Sequence, residues 1–93
     1  MVTLDQKVRL HPEVVDTELD DGEMVLLHLE SKTYYSLNLT GTRIWQGLKQ
    51  GLTLQEISHR LQEEFDVEAG RADSSVLALV NELSQQQLVQ SLD

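Results

Sequence analysis

The side chains that most often bind metals or carry catalysis are sparse in this chain and far apart. There are three histidines, His11, His28 and His59, and no cysteines. His11 and His28 fall on predicted strands of one sheet, where the two side chains could lie near each other. A zinc site needs three or four ligands, however, and no third ligand accompanies them. His59 falls on the solvated face of a predicted helix. We therefore predict no metal site and no bound cofactor.

The carboxylate and hydroxyl pairs are equally poor candidates for catalysis. Asp20-Asp21 lies in a predicted turn and Glu63-Glu64 lies on the polar face of a predicted helix. General acid–base catalysis needs a group with a tuned pKa, and neither place offers a dry pocket to tune it. Ser74-Ser75 stands at a predicted helix start, where serine is typical of capping. The sequence therefore predicts a protein that is not an enzyme.

The aromatic residues instead lie together, since three of the four occur between positions 34 and 45. Here a short strand runs almost directly into a helix. Alternation along the strand places Tyr35 and Leu37 on one face, which we predict to be buried together with Leu39. Tyr34 and Ser36 then point the other way, toward a groove or toward solvent. An ordinary exposed aromatic is the simplest interpretation of Tyr34 from the strand pattern alone.

The charge of the chain argues against a nucleic-acid partner. Sixteen acidic and seven basic residues give a formal charge of −9, with a pI of about 4.6. The basic residues are scattered, whereas binding a duplex requires a clustered positive surface. The acidic excess is explained most simply by solubility. A preference for a basic partner or peptide is the alternative.

The composition also indicates in which cellular compartment the protein is found. The absence of cysteine fits a reducing environment. No apolar run approaches the roughly 18–20 residues that span a bilayer. The first residues, Met1–Asp5, lack the basic and apolar regions of a signal peptide. We expect a cytoplasmic protein that does not bind membranes.

The first third of the chain has the alternating pattern of strands. Asp20–Glu23 has the composition of a hairpin turn because Gly22 can adopt a positive φ. Ser31-Lys32 makes a second tight turn. We predict an antiparallel meander of about three main strands. Its alternating segments are Lys7–His11, Glu13–Leu19, Met24–Glu30 and Thr33–Leu37.

The remainder has the spacing of helices. A first helix is predicted over Thr40–Gln50, ended by Gly51. Thr53-Leu54-Gln55-Glu56 is a capping box that opens a second helix. Val67–Ala72 is predicted to be a connection, and Asp73 is a plausible N-cap for a third helix to about Gln87. The apolar positions predicted to face the core are Leu54, Ile57, Leu61 and Phe65 on the second helix, Ile44, Trp45 and Leu48 on the first, and Val76, Leu79, Val80 and Leu83 on the third.

Three strands followed by three helices predict an α+β fold in a single domain over residues 1–93. The second and third helices have the lengths and the short joint of a helix-turn-helix. With a three-stranded antiparallel sheet beside them, the whole would be a winged helix-turn-helix. Leu88-Val89 closes the domain.

The ordered series of these residues resembles the PqqD family over residues 7–90. No single part of the series is as specific as a set of zinc ligands, but the order of the whole is distinctive. The matching residues are Tyr35-x-Leu37-Asn38-x-Thr40-Gly41-x-x-Ile44-Trp45, Gly51-x-Thr53-x-x-Glu56-Ile57, Leu61, Phe65-x-Val67, Val76, Leu79, Leu83 and Leu88-Val89.

The resemblance implies a recognition domain that does no chemistry itself. Such domains bind the leader peptide of a ribosomally synthesised precursor, which adds as a strand to the third strand and lies against the third helix. The founding member carries a Pro-Glu-Gly turn where this chain has Leu29-Glu30-Ser31-Lys32. That difference argues against the founding pathway. The Tyr34-Tyr35-x-Leu37-Asn38 and Ile44-Trp45 pattern looks more like the free-standing recognition proteins of lasso-peptide pathways. Their partners are a leader peptidase and a downstream cyclase.

Strand addition and the resemblance together select the candidate peptide-binding residues. A strand edge offers unpaired backbone groups, and the strand at Thr33–Leu37 contains no proline. On the third helix Leu77 lies off the centre of the core stripe, so that it either lines a groove or widens the core. The candidates are Thr33, Tyr34, Tyr35, Ser36, Leu37, Asp73, Val76, Leu77, Val80, Asn81 and Ser84.

Three other functions remain open from the sequence. A winged-helix DNA-binding regulator would use the predicted third helix, Asp73–Gln87, for recognition, but that segment contains no lysine or arginine. A peptide chaperone in quinone cofactor synthesis would bind a different precursor. A small interaction subunit would use the same strand edge for a protein partner.

Overall fold

The alternating segments form two sheets in the computed structural model, which describes residues 3–91. The fold is α+β, with a three-stranded sheet, a two-stranded sheet and three helices in this part of the chain. The elements are β1 (Val8–Leu10), β2 (Val14–Glu18), β3 (Met24–His28), β4 (Thr33–Leu37), α1 (Leu39–Lys49), α2 (Leu54–Phe65), α3 (Ala69–Gln85) and β5 (Val89–Ser91).

The predicted meander is confirmed, in the order β2-β3-β4 with antiparallel pairing throughout. Its register pairs Leu26 with Tyr35 and Met24 with Leu37. Met24, Leu26 and His28 point inward and are buried. Because successive strand residues alternate between faces, Val15 and Tyr34 lie on the opposite, outward face.

The prediction that the segment at residues 7–11 belongs to the meander is wrong. β1 pairs instead with β5 at the far end of the chain, with Leu10 opposite Val89. The pairing is extended by the His11 amide, which donates to the Leu88 carbonyl oxygen at 3.0 Å. A period-two pattern shows that a segment is a strand but does not identify its partner, and Pro12 interrupts the chain before β2.

The first helix begins and ends within one residue of its predicted bounds. Asn38 is its N-cap, and the Asn38 side chain accepts from the Gly41 amide at 2.8 Å. At the other end Gly51 has a φ of +81°. The Gly51 amide donates to Leu48 and the Leu52 amide to Gly47, which is the Schellman arrangement that glycine at this position favours.

The capping box of the second helix is confirmed. Thr53 Oγ1 accepts from the Glu56 amide at 3.1 Å, and the Glu56 carboxylate accepts from the Thr53 amide at 2.8 Å. The amides of Leu54 and Gln55 donate to backbone carbonyl oxygens of residues 6 and 4. The segment preceding β1 therefore completes the hydrogen bonds at the start of α2.

The predicted start of the third helix at Asp73 is wrong. α3 begins at Ala69 with Glu68 as its N-cap, and the Glu68 side chain makes no capping hydrogen bond. The connection is short because Asp66 turns the chain with a φ of +52°. Asp73 lies inside the helix, where its carboxylate accepts a hydrogen bond from the Ser58 hydroxyl of α2.

The core lies between the inward face of the meander and the helices. Most of the predicted core residues are buried, including Ile44, Trp45 and Leu61. Leu39 was predicted to be buried but is 38% exposed, because it is the first residue of α1 and points away from the core. Phe65 and Leu79 are half-buried and only pack against the edge of the core.

One inward-facing charge on the meander is tied to α1. Asp16 accepts from the Trp45 indole N–H at 2.8 Å and lies 2.9 Å from the Lys49 ammonium. Burial alone would raise the pKa of Asp16, but the hydrogen bond from Trp45 and the charge of Lys49 outweigh it and lower the pKa. The ionised carboxylate therefore stabilises the fold.

We expect Asp16→Asn to lower the free energy of unfolding at pH 7 by about 1 kcal/mol, because asparagine keeps an acceptor for Trp45 but loses the attraction of Lys49. A lowered folded-state pKa contributes stability above the unfolded value of about 3.9, and the contribution is lost as the pH falls through the folded value. Urea unfolding of both proteins from pH 7 to pH 2.5 checks this. A difference that stays constant down to pH 2.5 would contradict it.

Candidate functional site

A cleft of about 710 Å³ separates β4 from α3. Within residues 3–91, β4 pairs only with β3, so its other edge is open toward this cleft. In an antiparallel pair half of a strand's backbone N–H and C=O groups point away from its partner. The cleft therefore combines an unpaired strand edge with space for another segment of chain.

The floor of the cleft is apolar. Leu37, Ile44 and Leu61 line it and are buried beneath it, and the half-buried Phe65 and Val67 form its wall beside α2. Asn38, Thr40 and Gly41 at the start of α1 also line it, as does Glu23 before β3.

One face of α3 makes the opposite wall. Its residues follow each other at helical spacing, so that they share a single stripe along the helix. The middle of the stripe is made of small side chains, which leave room between α3 and β4, and the two ends carry charged side chains. The residues are Arg71, Ala72, Ser75, Ala78, Leu79 and Glu82.

Tyr35 and Glu82 bridge the two walls. Tyr35 on β4 and Glu82 on α3 both line the cleft and interact across it. Burial, as the larger cause, and the neighbouring Glu82 carboxylate together raise the pKa of Tyr35 to about 12. The phenol is therefore neutral and a donor at physiological pH.

The cleft brings together some of the residues proposed from the sequence and not others. Tyr35, Ser36 and Leu37 line it, whereas Tyr34 is 71% exposed on the outward face of the sheet. Val76 and Val80 are buried in the core, and the half-buried Leu77 packs against the core. The proposed residues that do not line the cleft are Thr33, Tyr34, Asp73, Val76, Leu77, Val80, Asn81 and Ser84.

Sequence reasoning missed the face of α3 that lines the cleft. Arg71, Ser75, Ala78 and Glu82 recur every three or four residues, which is the spacing of one helical face. That signal was hidden because the helix was predicted to begin at Asp73, which left Arg71 outside it. Small and charged side chains also have the composition of an ordinary solvated face.

The outward face of the meander is a second notable surface. Val15 is 45% exposed and Tyr34 71% exposed, and the half-buried Val25 and Leu27 lie between them on the same face. We call these four residues the outer sheet face. Residues 13–36, the segment that forms this face, contain seven carboxylates and a single lysine, so the segment is acidic.

The two histidines of the sheet region do lie together, with ring centroids 4.4 Å apart. His28 is buried and its Nε2 has no hydrogen-bond partner in the described part of the chain. No group of three or more potential metal ligands occurs among residues 3–91. Nor is any helix in that range long and apolar enough to cross a membrane.

The chain is similar to proteins of one family. The sequence profile described as coenzyme PQQ synthesis protein D (PqqD) matches residues 23–89. No curated protein matches the chain. Among solved structures, "Lasso peptide synthetase B1 complexed with the leader peptide" is 34% identical, with a TM-score of 0.81 over 89% of this chain and 96% of that chain. "TbiB1 in Complex with the TbiA(beta) Leader Peptide" is 30% identical, with a TM-score of 0.82 over 87% and 93%.

Proposed function

The chain belongs to the PqqD family, and from that premise we propose that it binds the leader peptide of a ribosomally synthesised precursor of the lasso-peptide type. The observation that carries the proposal is the open edge of β4 beside an apolar cleft. Two similar structures are complexes with leader peptides, which supports the same role for this chain.

We propose that the leader adds to β4 as a further antiparallel or parallel strand and rests against α3. Backbone hydrogen bonds to the edge of β4 would supply affinity, and alternate side chains of the peptide would enter the cleft. The alternate side chains that enter the cleft would meet the apolar floor formed by the buried Leu37, Ile44 and Leu61. Exposed apolar side chains of the leader would gain about 25 cal/mol for each Å² removed from water.

The direct test uses the leader of the precursor encoded beside this protein. Calorimetry should show saturable binding that is lost when the leader is scrambled, and flat titrations with the intact leader would refute the proposal. Strand addition is tested with leaders whose backbone amides are N-methylated one at a time. Because only alternate amides face β4, methylation should weaken binding at every second position of the bound segment. Equal losses at all positions would exclude strand addition.

The proposal includes delivery of the bound leader to a leader peptidase, with a cyclase acting afterwards, and no catalysis by this chain. The exposed apolar outer sheet face supports a protein partner, because Tyr34 stands on β4 next to the edge that the leader would occupy. Cleavage of the precursor by the peptidase encoded in the same cluster should accelerate when this protein is added. If this protein leaves the rate of precursor cleavage unchanged, the proposed delivery of the leader to the peptidase is wrong.

We also assign the fold to the winged helix-turn-helix class as part of this proposal. α2 and α3 pack against each other, and β4 of the meander faces α3 across the cleft, where a wing would lie. α3 contains one cation, Arg71, together with Asp73 and Glu82. That balance favours a peptide over the phosphates of DNA.

A further inference from the structure

The cleft wall on α3 has opposite charges at its two ends. Arg71 stands near the start of the helix and Glu82 near its end, both exposed and both lining the cleft. They are eleven positions apart, which at 1.5 Å per residue separates them by roughly 16 Å along the helix axis. An extended peptide covers that distance in about five residues.

The two charges differ in what they contact. Glu82 faces Tyr35 of β4 at the cleft, and its carboxylate interacts with the Tyr35 hydroxyl. Arg71 forms no ion pair within the range 3–91, although the chain as a whole carries a charge of −9. Arg71 is also the one cation that lines the cleft in that range. The net negative charge of the protein repels an incoming carboxylate, whereas the Arg71 guanidinium attracts one.

Strand addition alone leaves the direction of the peptide undecided. Parallel and antiparallel strands both form regular hydrogen-bonded ladders, and the two differ only slightly in stability for each residue. A short segment lying on the edge of β4 could therefore bind in either sense. Side-chain contacts must choose between the two directions, and opposite charges at the ends of the cleft provide such a choice.

We propose that Arg71 and Glu82 fix the direction of the leader peptide in the cleft. The bound segment carries an acidic side chain opposite Arg71 and a basic side chain opposite Glu82. Because side chains on one face of a strand repeat every two residues, the two lie about four or six positions apart. The inference rests on the proposed leader binding and names the charge pattern of the substrate.

The test measures the affinity of the fluorescein-labelled leader for charge variants by anisotropy. Exposed ion pairs are weak, so Arg71→Glu should weaken binding by about three- to tenfold, with a smaller loss in high salt. Arg9→Glu changes the net charge equally at an exposed position on β1 outside the cleft, and it is the matched control. It should change the affinity less than twofold.

Charge exchange gives the decisive result. The double variant Arg71→Glu/Glu82→Arg should bind a leader with the two charged residues exchanged more tightly than it binds the natural leader. The inference is overturned if Arg71→Glu lowers the affinity for the leader no more than Arg9→Glu does. It is also overturned if the double variant binds the exchanged leader no more tightly than the natural one, or if the leader has no such pair of charged residues. In those cases wild-type binding still supports the proposed function. If the leader does not bind the wild-type protein at all, both proposals fail.

Discussion

Leu79→Asp should weaken leader binding by roughly ten- to a hundredfold, which is the largest effect on function that we expect from a single substitution. Leu79 is half-buried in the wall of the cleft, close to its apolar floor. The leader would remove water from an aspartate at this position when it binds. Burying the charge without a partner costs about 1–3 kcal/mol or more. Calorimetric titration with the leader measures the loss.

Leu77→Asp is the matched comparison because Leu77 is also half-buried on α3 but does not line the cleft. Both variants lose apolar contacts, so thermal unfolding by circular dichroism must show that each remains folded. If the leader lies in the cleft, Leu77→Asp keeps nearly the wild-type affinity. If Leu77→Asp loses binding and Leu79→Asp keeps it, the leader lies on the flank formed by Leu77, Asn81 and Ser84.

Gly47→Ala should lower the free energy of unfolding by about 2 kcal/mol, although alanine normally favours a helix. Gly47 is buried in α1 where the helix meets α2, and a Cβ there would stand 2.7 Å from Ile57 Cγ1. That atom is near the base of a buried side chain, so relief requires the two helices to separate. Overpacking of this kind typically costs about 1–3 kcal/mol.

Gly70→Ala provides the control for helix propensity. Gly70 lies in the first turn of α3, and no atom stands within 4 Å of a Cβ placed there. We expect this substitution to stabilise the fold by up to about 1 kcal/mol, because alanine loses less backbone entropy than glycine. The urea midpoints of the two variants should therefore move in opposite directions. A midpoint for Gly47→Ala at or above the wild-type value would show that α1 and α2 adjust freely.

Local patterns predicted the local structure well. The capping box at Thr53 and the glycine at position 51 act through hydrogen bonds within a few residues, so α1 and α2 could be bounded from the sequence. The hairpins of the meander are local in the same sense. The start of α3 was mispredicted because Glu68 caps it without a side-chain hydrogen bond. The preference of aspartate for N-caps then favoured Asp73, which instead bonds to Ser58.

Of the two walls of the candidate site, only the β4 edge could be predicted from the sequence. The strand Thr33–Leu37 was identified correctly, and its free edge follows from its place at the end of the meander. The face of α3 turned toward that edge depends on how the helix packs against α2. The sequence pattern placed Leu79 in the core stripe and made Leu77 the candidate for the groove. Only the three-dimensional packing shows that Leu79 lines the cleft and Leu77 does not.

The pairing of β1 with β5 has a consequence for the order in which the fold assembles. Leu10 and Val89 are partners, so this small sheet closes a loop that contains the whole meander and all three helices. Closing a long loop before the intervening chain is compact carries a large entropic cost, whereas hairpins and helices form from near neighbours. We therefore expect the two strands to pair after the meander and the helices have formed.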